Sequence, residues 1–203
     1  MIQPAIVVDG RGGLPEEICR QLRLAALHPI QGGPFAADAA EALLGLSPLE
    51  RPAAVILVSH HTITVEATAP WHRARVPHLP VICDGKSSVV GPLILPGHGA
   101  CWRCHALTAH DLEAVGGLAS GHFTLDPVAL PTGGLGVLTA AVTASVVLAA
   151  LAGATGLGGV STELEVAGPS VTHRHWGRHP MCSDCTASGT AAWPQGVQDT
   201  MAG

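Results

Sequence analysis

A chain of 203 residues with 47% hydrophobic and only 12% charged residues is long enough to form one well-packed domain. Its net charge of −5, without any cluster of lysine and arginine, argues against binding to nucleic acid or to an anionic membrane. Charged residues make up about half of their usual share. We therefore expect part of the surface to be covered by a partner protein or by a second copy of the chain in a homodimer.

Strand and helix patterns alternate at the start of the chain. Residues 5–9 are a β-branched run that predicts a strand, and a glycine-rich turn follows it. The next pattern predicts a helix with Pro15 in its first turn and Pro29 after its end. Residues 31–34 are predicted to form a turn and residues 36–46 a helix.

Three further strands are predicted at 53–59, 79–83 and 88–95, and a helix at 62–74 separates the first two. The run at 53–59 is continuously apolar, which is typical of a strand covered on both faces of a sheet. Pro92 implies an edge or a bend in the last of these strands. The alternation predicts an α/β fold with a shortened, Rossmann-like parallel sheet.

The second half of the chain has a different pattern. It runs from a cysteine pair through an irregular histidine-containing stretch and an apolar helix to two strands at 162–167 and 171–176, then to a second cysteine pair. We expect one α/β domain with a flexible tail. The predicted domain covers residues 1–186, with a Rossmann-like half at 1–96 and a half at 97–186 that contains both cysteine pairs and is expected to be held together by zinc. The tail covers 187–203.

The apolar stretch at 135–152 is about long enough to span a bilayer. It has no flanking lysine or arginine and no aromatic belt, so it is predicted to be a buried or dimer-facing helix that ends at Gly153 and Gly156. The N-terminus lacks the basic and apolar regions of a signal peptide. These features predict a cytoplasmic protein that does not interact with a membrane.

Two CxxC pairs carry the strongest chemical signal. Cys101 and Cys104 form the first pair, and Cys182 and Cys185 form the second. A CxxC turn places two sulfur atoms on one side of a metal ion, and two such turns complete the tetrahedral thiolate shell of zinc. Because a shell of four thiolates leaves no position open for water, the predicted zinc holds structure and does not catalyse.

Three alternatives to this zinc site remain open. One pair could carry thioredoxin-like redox chemistry. The sequence at 101–105 also matches the CxxCH pattern of covalent haem attachment, which requires export. In a mixed site, a histidine would replace one thiolate; the candidates are His105, His173, His175 and His179. The remaining cysteines, Cys19 and Cys83, are predicted to be small buried side chains.

Several motifs resemble one family. The turn Gly10-Arg-Gly-Gly-Leu-Pro15 resembles the phosphate-binding turn of ubiquitin-activating-enzyme-like (ThiF-like) adenylyltransferases. The stretches at 76–80, 89–96 and 99–104, together with 178–185, are similar to passages of one branch of that family. That branch is the ocin-ThiF-like proteins, which are partners of YcaO cyclodehydratases in the biosynthesis of thiazole/oxazole-modified ribosomal peptides, including bacteriocins and thiopeptides.

This resemblance implies a scaffold that presents substrate to a YcaO subunit and stimulates it. The stretch at 28–35 has neither the acidic residue for the ribose nor the asparagine–arginine region of activating enzymes, so ATP chemistry is expected to be lost. Gly10, Gly12 and Gly13 would then be a vestigial nucleotide turn. The winged-helix element that grips the leader peptide in this branch is expected to be missing, which leaves contact with the precursor peptide open.

The sequence therefore leaves three functions open. The first is a non-catalytic accessory subunit of a peptide-modifying complex. The second is an ATP-dependent adenylyltransferase acting on a peptide or a carrier-protein C-terminus, and the third is a structural zinc protein with other partners. His60 and His61 follow the strongest strand, where ligands collect in open α/β sheets, or they are simply polar residues before a helix. Lys86 is either an anion contact or a solvated turn residue.

Overall fold

The computed structural model describes residues 3–25, 28–46, 51–114, 133–165 and 170–186. The predicted flexible tail at 187–203 lies outside the described residues. The strands are β1 Ile6–Asp9, β2 Ile30–Gly33, β3 Ala54–Ser59, β4 His78–Cys83, β5 Ser87–Val90, β6 Val160–Glu165 and β7 Ser170–His175. The helices are α1 Gly13–Ala25, α2 Ala36–Leu44, α3 Val65–Arg73, α4 Trp102–Ala114, α5 Gly134–Leu151 and α6 Ser183–Thr186.

All seven strands form one sheet in the order β2-β1-β3-β4-β5-β6-β7. The first four strands in this order are parallel, as predicted for an α/β sheet. From β4 onward each neighbouring pair is antiparallel. The predicted strand at 88–95, which was part of the parallel pattern, is thus antiparallel to β4, because the short turn after β4 returns the chain beside that strand without a crossover helix.

The turn between β4 and β5 explains this change of direction. The Asp84 carboxylate accepts hydrogen bonds of 2.8 Å from the backbone N–H groups of Lys86 and Ser87. Gly85 has a φ of +92°, which glycine adopts more easily than any other residue. Asp84 is thus a turn-forming residue, and β5 folds directly back on β4.

Two hydrophobic layers cover the sheet. On one face, Leu14, Ile18 and Leu22 of α1 pack with residues of α5 against the even-numbered positions of β1 and β3. On the other face, α2, α3 and α4 cover a second cluster that includes Trp71 and Trp102. Val7 lies on the opposite face of the sheet from its neighbours in β1, because successive side chains of a strand point to opposite faces. The apolar run in β3 is buried on both faces, as predicted.

Three elements differ from the sequence predictions. Residues 30–33 are an edge strand and not a turn, because their backbone pairs with β1 in parallel register. The predicted irregular stretch after the first cysteine pair is instead helical up to Ala114, where α4 ends, and its part at 115–132 lies outside the described residues. The predicted strand at 88–95 ends at Val90, since Gly91 has a φ of +101°, which lies outside the range of a β-strand.

Helix α5 is confirmed close to its predicted bounds, and Gly153 follows it with a φ of +94°. Within the described residues it is the one helix whose length and composition would allow it to cross a membrane. One side of α5 is buried against α1 and the sheet through Ala140, Ala144 and Val147. A core helix of a folded domain has the same length and composition.

Candidate metal centre and its surroundings

The two cysteine pairs meet beside the sheet. Cys101 immediately precedes α4 and Cys104 lies in its first turn, so their sulfur atoms share one side of the helix. Cys182 precedes the short helix α6, which contains Cys185. The Sγ atoms are 3.7 Å apart in Cys101–Cys104, 3.5 Å in Cys101–Cys182 and 3.5 Å in Cys104–Cys185.

These separations fit a tetrahedral metal shell. Zinc–sulfur bonds of about 2.3 Å at tetrahedral angles place sulfur atoms about 3.8 Å apart. All four sulfur atoms lie within 4.8 Å of one another, and three of the four cysteines are buried. Four sulfur donors are the ligand set that structural zinc prefers. The four cysteines could therefore hold one metal ion, and zinc bound there would crosslink the two pairs.

The pKa values of the close thiols shift in opposite directions. Hydrogen bonds from Cys101 and Cys185 lower the pKa of the Cys104 thiol, because they stabilise its thiolate form. Thiolate is the form that binds metal, and metal binding displaces the remaining protons. The same contacts, together with burial, raise the pKa of the Cys101 and Cys185 thiols, so the cluster favours one thiolate and holds the protons of these two thiols more tightly.

Histidines stand near the sulfur atoms but have other contacts. His105 stacks on Trp102 at 4.5 Å between ring centroids and meets Trp176 edge-on at 4.3 Å. His179 pairs through Nε2 with Asp111 at 2.9 Å, while its Nδ1 accepts a hydrogen bond from the backbone N–H of Met181. Among the described residues, the cluster that could hold a metal ion contains the four cysteines and no histidine.

Other polar contacts fix the backbone around the cluster. Arg178 donates hydrogen bonds to the carbonyl oxygens of Gly99 at 2.9 Å and Gly97 at 3.1 Å. Arg103 and Asp184, which lie inside the first and second cysteine pairs, form an ion pair of 3.0 Å. Such outer contacts orient metal ligands. The sequence reasoning missed this ion pair, because nothing in the spacing of the cysteines shows that their inner residues face each other.

The glycine turn lies at the carboxyl end of β1, an inner strand of the sheet. Gly10 and Gly12 have φ values of +149° and +91°, and Gly13 begins α1. A side chain on Gly10 would come within 2.8 Å of the Pro15 ring, so proline packs directly onto the turn. A cavity of 510 Å³ adjoins the turn and is also lined by Glu16. Nucleotide binding by these glycines stays a prediction.

The remaining candidates occupy separate places. His60 and His61 follow β3 with their rings 6.2 Å apart, and partial burial lowers the pKa of His60. Lys86 lies in the turn after β4. Cys19 and Cys83 are buried, as predicted. These residues do not join the four-cysteine cluster, and their roles stay predictions.

No protein-family model matches the sequence, and no curated protein matches it. Several solved structures nevertheless share its fold. E. coli MccB with MccA has a TM-score of 0.60 at 14% identity over 91% of this chain and 66% of MccB. A heterocyclase in complex with substrate and cofactor has a TM-score of 0.59 at 16% identity over 90% of this chain and 25% of that one.

The heterocyclase TruD has a TM-score of 0.56 at 19% identity over 91% of this chain and 28% of TruD. This chain thus spans between a quarter and two thirds of the length of these three proteins. Identities this low carry an argument about architecture and none about individual activities. The chain has the α/β fold that MccB and the heterocyclases contain.

Proposed function

We propose that this protein is a non-catalytic scaffold subunit of a complex that modifies ribosomal peptides, and that it supports a YcaO-type cyclodehydratase. The complex would work in the cytoplasm, where thiols stay reduced and four cysteines serve to bind structural zinc. Support comes from the fold shared with heterocyclases and from the motif resemblance at 76–104 and 178–185.

The observation that carries the non-catalytic part is the chemistry of the glycine turn. Phosphate binding at a helix N-terminus depends on free backbone N–H groups and on the positive end of the helix dipole. Pro15 has no N–H group, and its ring packs against Gly10. Glu16 adds a carboxylate to the first turn and to the lining of the cavity there. Both residues oppose the binding of a triphosphate.

The ribose side of the site also lacks its expected contact. In the family that the motifs resemble, an acidic residue after the second strand binds the ribose. Here β2 ends in two glycines, and Pro34 and Phe35 follow. Phe35 instead stacks under the Arg11 guanidinium, 4.9 Å from the ring centroid. This arrangement gives no carboxylate for a ribose hydroxyl at that point.

ATP–pyrophosphate exchange with candidate precursor peptides tests the proposal directly. We expect no exchange from the purified, zinc-loaded protein, and we expect a co-encoded YcaO enzyme to work faster in its presence. Arg11→Gln changes the glycine-turn cavity and should leave this stimulation unchanged. Clear exchange that Arg11→Gln abolishes would refute the scaffold role.

The adenylyltransferase is the second candidate, because the cavity at the glycine turn also contains Arg11 and Arg23. Two guanidinium groups could offset the Glu16 carboxylate toward a nucleotide. Exchange activity with any peptide or carrier-protein C-terminus would favour this candidate. The expected homodimer is tested independently, by measuring the mass of the purified protein by sedimentation.

A further inference from the structure

A second cavity, also of 510 Å³, lies beside the metal cluster. Its walls are the last turn of α3, the loop at 96–97, the first turn of α4 and the start of α6. Helix α3 runs back from the carboxyl end of β3 to the amino end of the parallel strand β4. The cavity therefore lies near the amino ends of the parallel strands, whereas the glycine turn lies at their carboxyl ends.

Positive charge dominates this cavity. Among the described residues, three of the chain's ten lysine and arginine residues line it, namely Arg73, Arg75 and Arg103, and Asp184 is the one carboxylate. Asp184 already pairs with Arg103 at 3.0 Å. Within the described residues, Arg73 and Arg75 have no carboxylate partner. A protein with a net charge of −5 thus places two guanidinium groups without a described carboxylate partner at one concave place.

The backbone holds Arg75 in this position. Arg75 has a φ of +55°, a left-handed conformation that is unfavourable for an arginine. Its N–H donates to the carbonyl of His72 at 3.1 Å, and the N–H of Val76 donates to that of Trp71 at 2.9 Å. These bonds reverse the chain at the end of α3. The Arg75 Nη1 atom then lies 3.7 Å from the position that a side chain on Gly97 would occupy.

The opposite wall is equally constrained. Arg178 holds the loop at Gly97 through that residue's carbonyl oxygen. Because Gly97 has a φ of +93° and no side chain, the loop passes close beneath the Arg75 guanidinium. Arg178 thus fixes the loop that the Arg75 guanidinium approaches. The cavity is built by ordered elements and not by chance proximity of long surface side chains.

We propose that this arginine cavity, defined by Arg73, Arg75 and Arg103, binds an acidic peptide segment through its carboxylates. A guanidinium group matches a carboxylate with two parallel hydrogen bonds. A volume of 510 Å³ falls in the range of ligand pockets and exceeds what one small anion fills. The part of the lining that the structure describes contains no tryptophan or phenylalanine on which a nucleobase would stack.

This proposal goes beyond the scaffold function, because it concerns any acidic peptide and does not require a cyclodehydratase. The probe is a fluorescein-labelled peptide of alternating glycine and glutamate, and the control peptide has glutamine in place of glutamate. Anisotropy with the full-length, zinc-loaded protein should show binding of the glutamate peptide. We expect the glutamine peptide to bind at least about tenfold more weakly, since it keeps the length but loses the charge.

Protein variants locate the site. Arg75→Gln and Arg73→Gln should each weaken binding of the glutamate peptide about tenfold, and Arg75→Lys should weaken it less because the charge remains. Arg20→Gln is the matched control. Arg20 lies on α1, on the other face of the sheet, and pairs with Glu17. Its substitution should leave peptide affinity unchanged.

Several results would overturn the proposal. Equal affinity for the two peptides would do so, as would unchanged affinity in both cavity variants. If inorganic phosphate displaces the labelled peptide as well as unlabelled peptide does at equal concentration, the cavity is a small-anion site and the peptide assignment is wrong. Thermal unfolding and zinc content verify that each variant is folded, and Arg73→Gln serves if Arg75→Gln is not. Stimulation of the cyclodehydratase is measured separately, so failure of peptide binding does not by itself refute the scaffold function.

Discussion

Removal of one cysteine pair is the most direct test of the metal crosslink. In the double variant Cys182→Ser, Cys185→Ser only two thiolates remain, which is too few for a closed zinc shell. We expect the wild-type protein to contain one zinc per chain and the double variant to contain none. Plasma emission spectroscopy on reduced, dialysed protein measures both values.

Binding of zinc to the folded chain alone sets the size of the stability loss. Cys101 and Cys182 are 81 positions apart, so the four thiolates come together only when the chain folds, and unfolding releases the ion. Zinc at about a thousand times its dissociation constant stabilises the folded protein by about 4 kcal/mol. For a domain of this size, that corresponds to a fall in melting temperature of roughly 10–15 °C.

Calorimetry of the two proteins provides the comparison. Cys19→Ala is the control, because Cys19 is buried in α1 away from the cluster. It should lower stability somewhat through lost packing and leave the zinc content at one per chain. Wild-type protein that carries no zinc, or a double variant that melts at the wild-type temperature, would refute the crosslink.

Three further predictions concern the core. Burial lowers the pKa of His78 from 6.5 to about 4, so this side chain takes up a proton more readily in the unfolded chain than in the folded one. The free energy of unfolding should therefore fall as the pH drops from 6.5 to 4, by about 2 kcal/mol at pH 5. Urea titrations should show a smaller fall in His78→Asn. The Thr139 hydroxyl bonds to that of buried Ser88 at 2.7 Å, so Thr139→Val should cost about 1–3 kcal/mol by the same assay. Gly91→Ala should destabilise the protein by more than 1 kcal/mol in thermal unfolding, because the new side chain would meet a backbone oxygen of β6 at 2.7 Å.

Each of these predictions has a clear contrary result. A pH dependence that is identical in wild type and His78→Asn would show that this histidine does not stay neutral in the folded protein. Wild-type stability in Thr139→Val would mean that the Ser88 hydroxyl finds another acceptor. Wild-type stability in Gly91→Ala would mean that β6 shifts freely.

The sequence predicted those parts of the fold that depend on local pattern. The apolar run of β3 and the helix spacing of α1 each reflect which face of a single element is buried. The cysteine cluster was also predictable, because a CxxC turn places two sulfur atoms on one side of a metal ion and two such turns complete its tetrahedral shell.

Other features depend on neighbours and left no local signal. The edge strand β2 reads Ile-Gln-Gly-Gly and resembles a turn, yet backbone pairing with β1 determines its structure. The antiparallel direction of β5 follows from hydrogen bonds at the turn around Asp84. The arginine cavity draws residues from α3, α4 and α6, which are far apart in sequence. Their common location appears only in the folded chain.

The metal cluster and the arginine cavity share a wall. Arg103 lies between Cys101 and Cys104, and Asp184 lies between Cys182 and Cys185. Their ion pair of 3.0 Å therefore joins the inner residues of the two cysteine pairs, and both side chains line the cavity. A metal that holds the pairs together also fixes the distance between these two side chains.

Zinc and peptide binding should consequently be coupled. Chelation of zinc should weaken binding of the glutamate peptide, because the metal no longer fixes the position of Arg103 in the cavity. The measurement is made at low temperature, where circular dichroism still shows the folded sheet. Re-addition of zinc should restore the affinity. The double cysteine variant should have the same weak affinity with and without zinc. If the folded, zinc-free protein bound the peptide as tightly as the zinc-loaded protein, the metal would not position this wall, and the two sites would be neighbours without a functional connection.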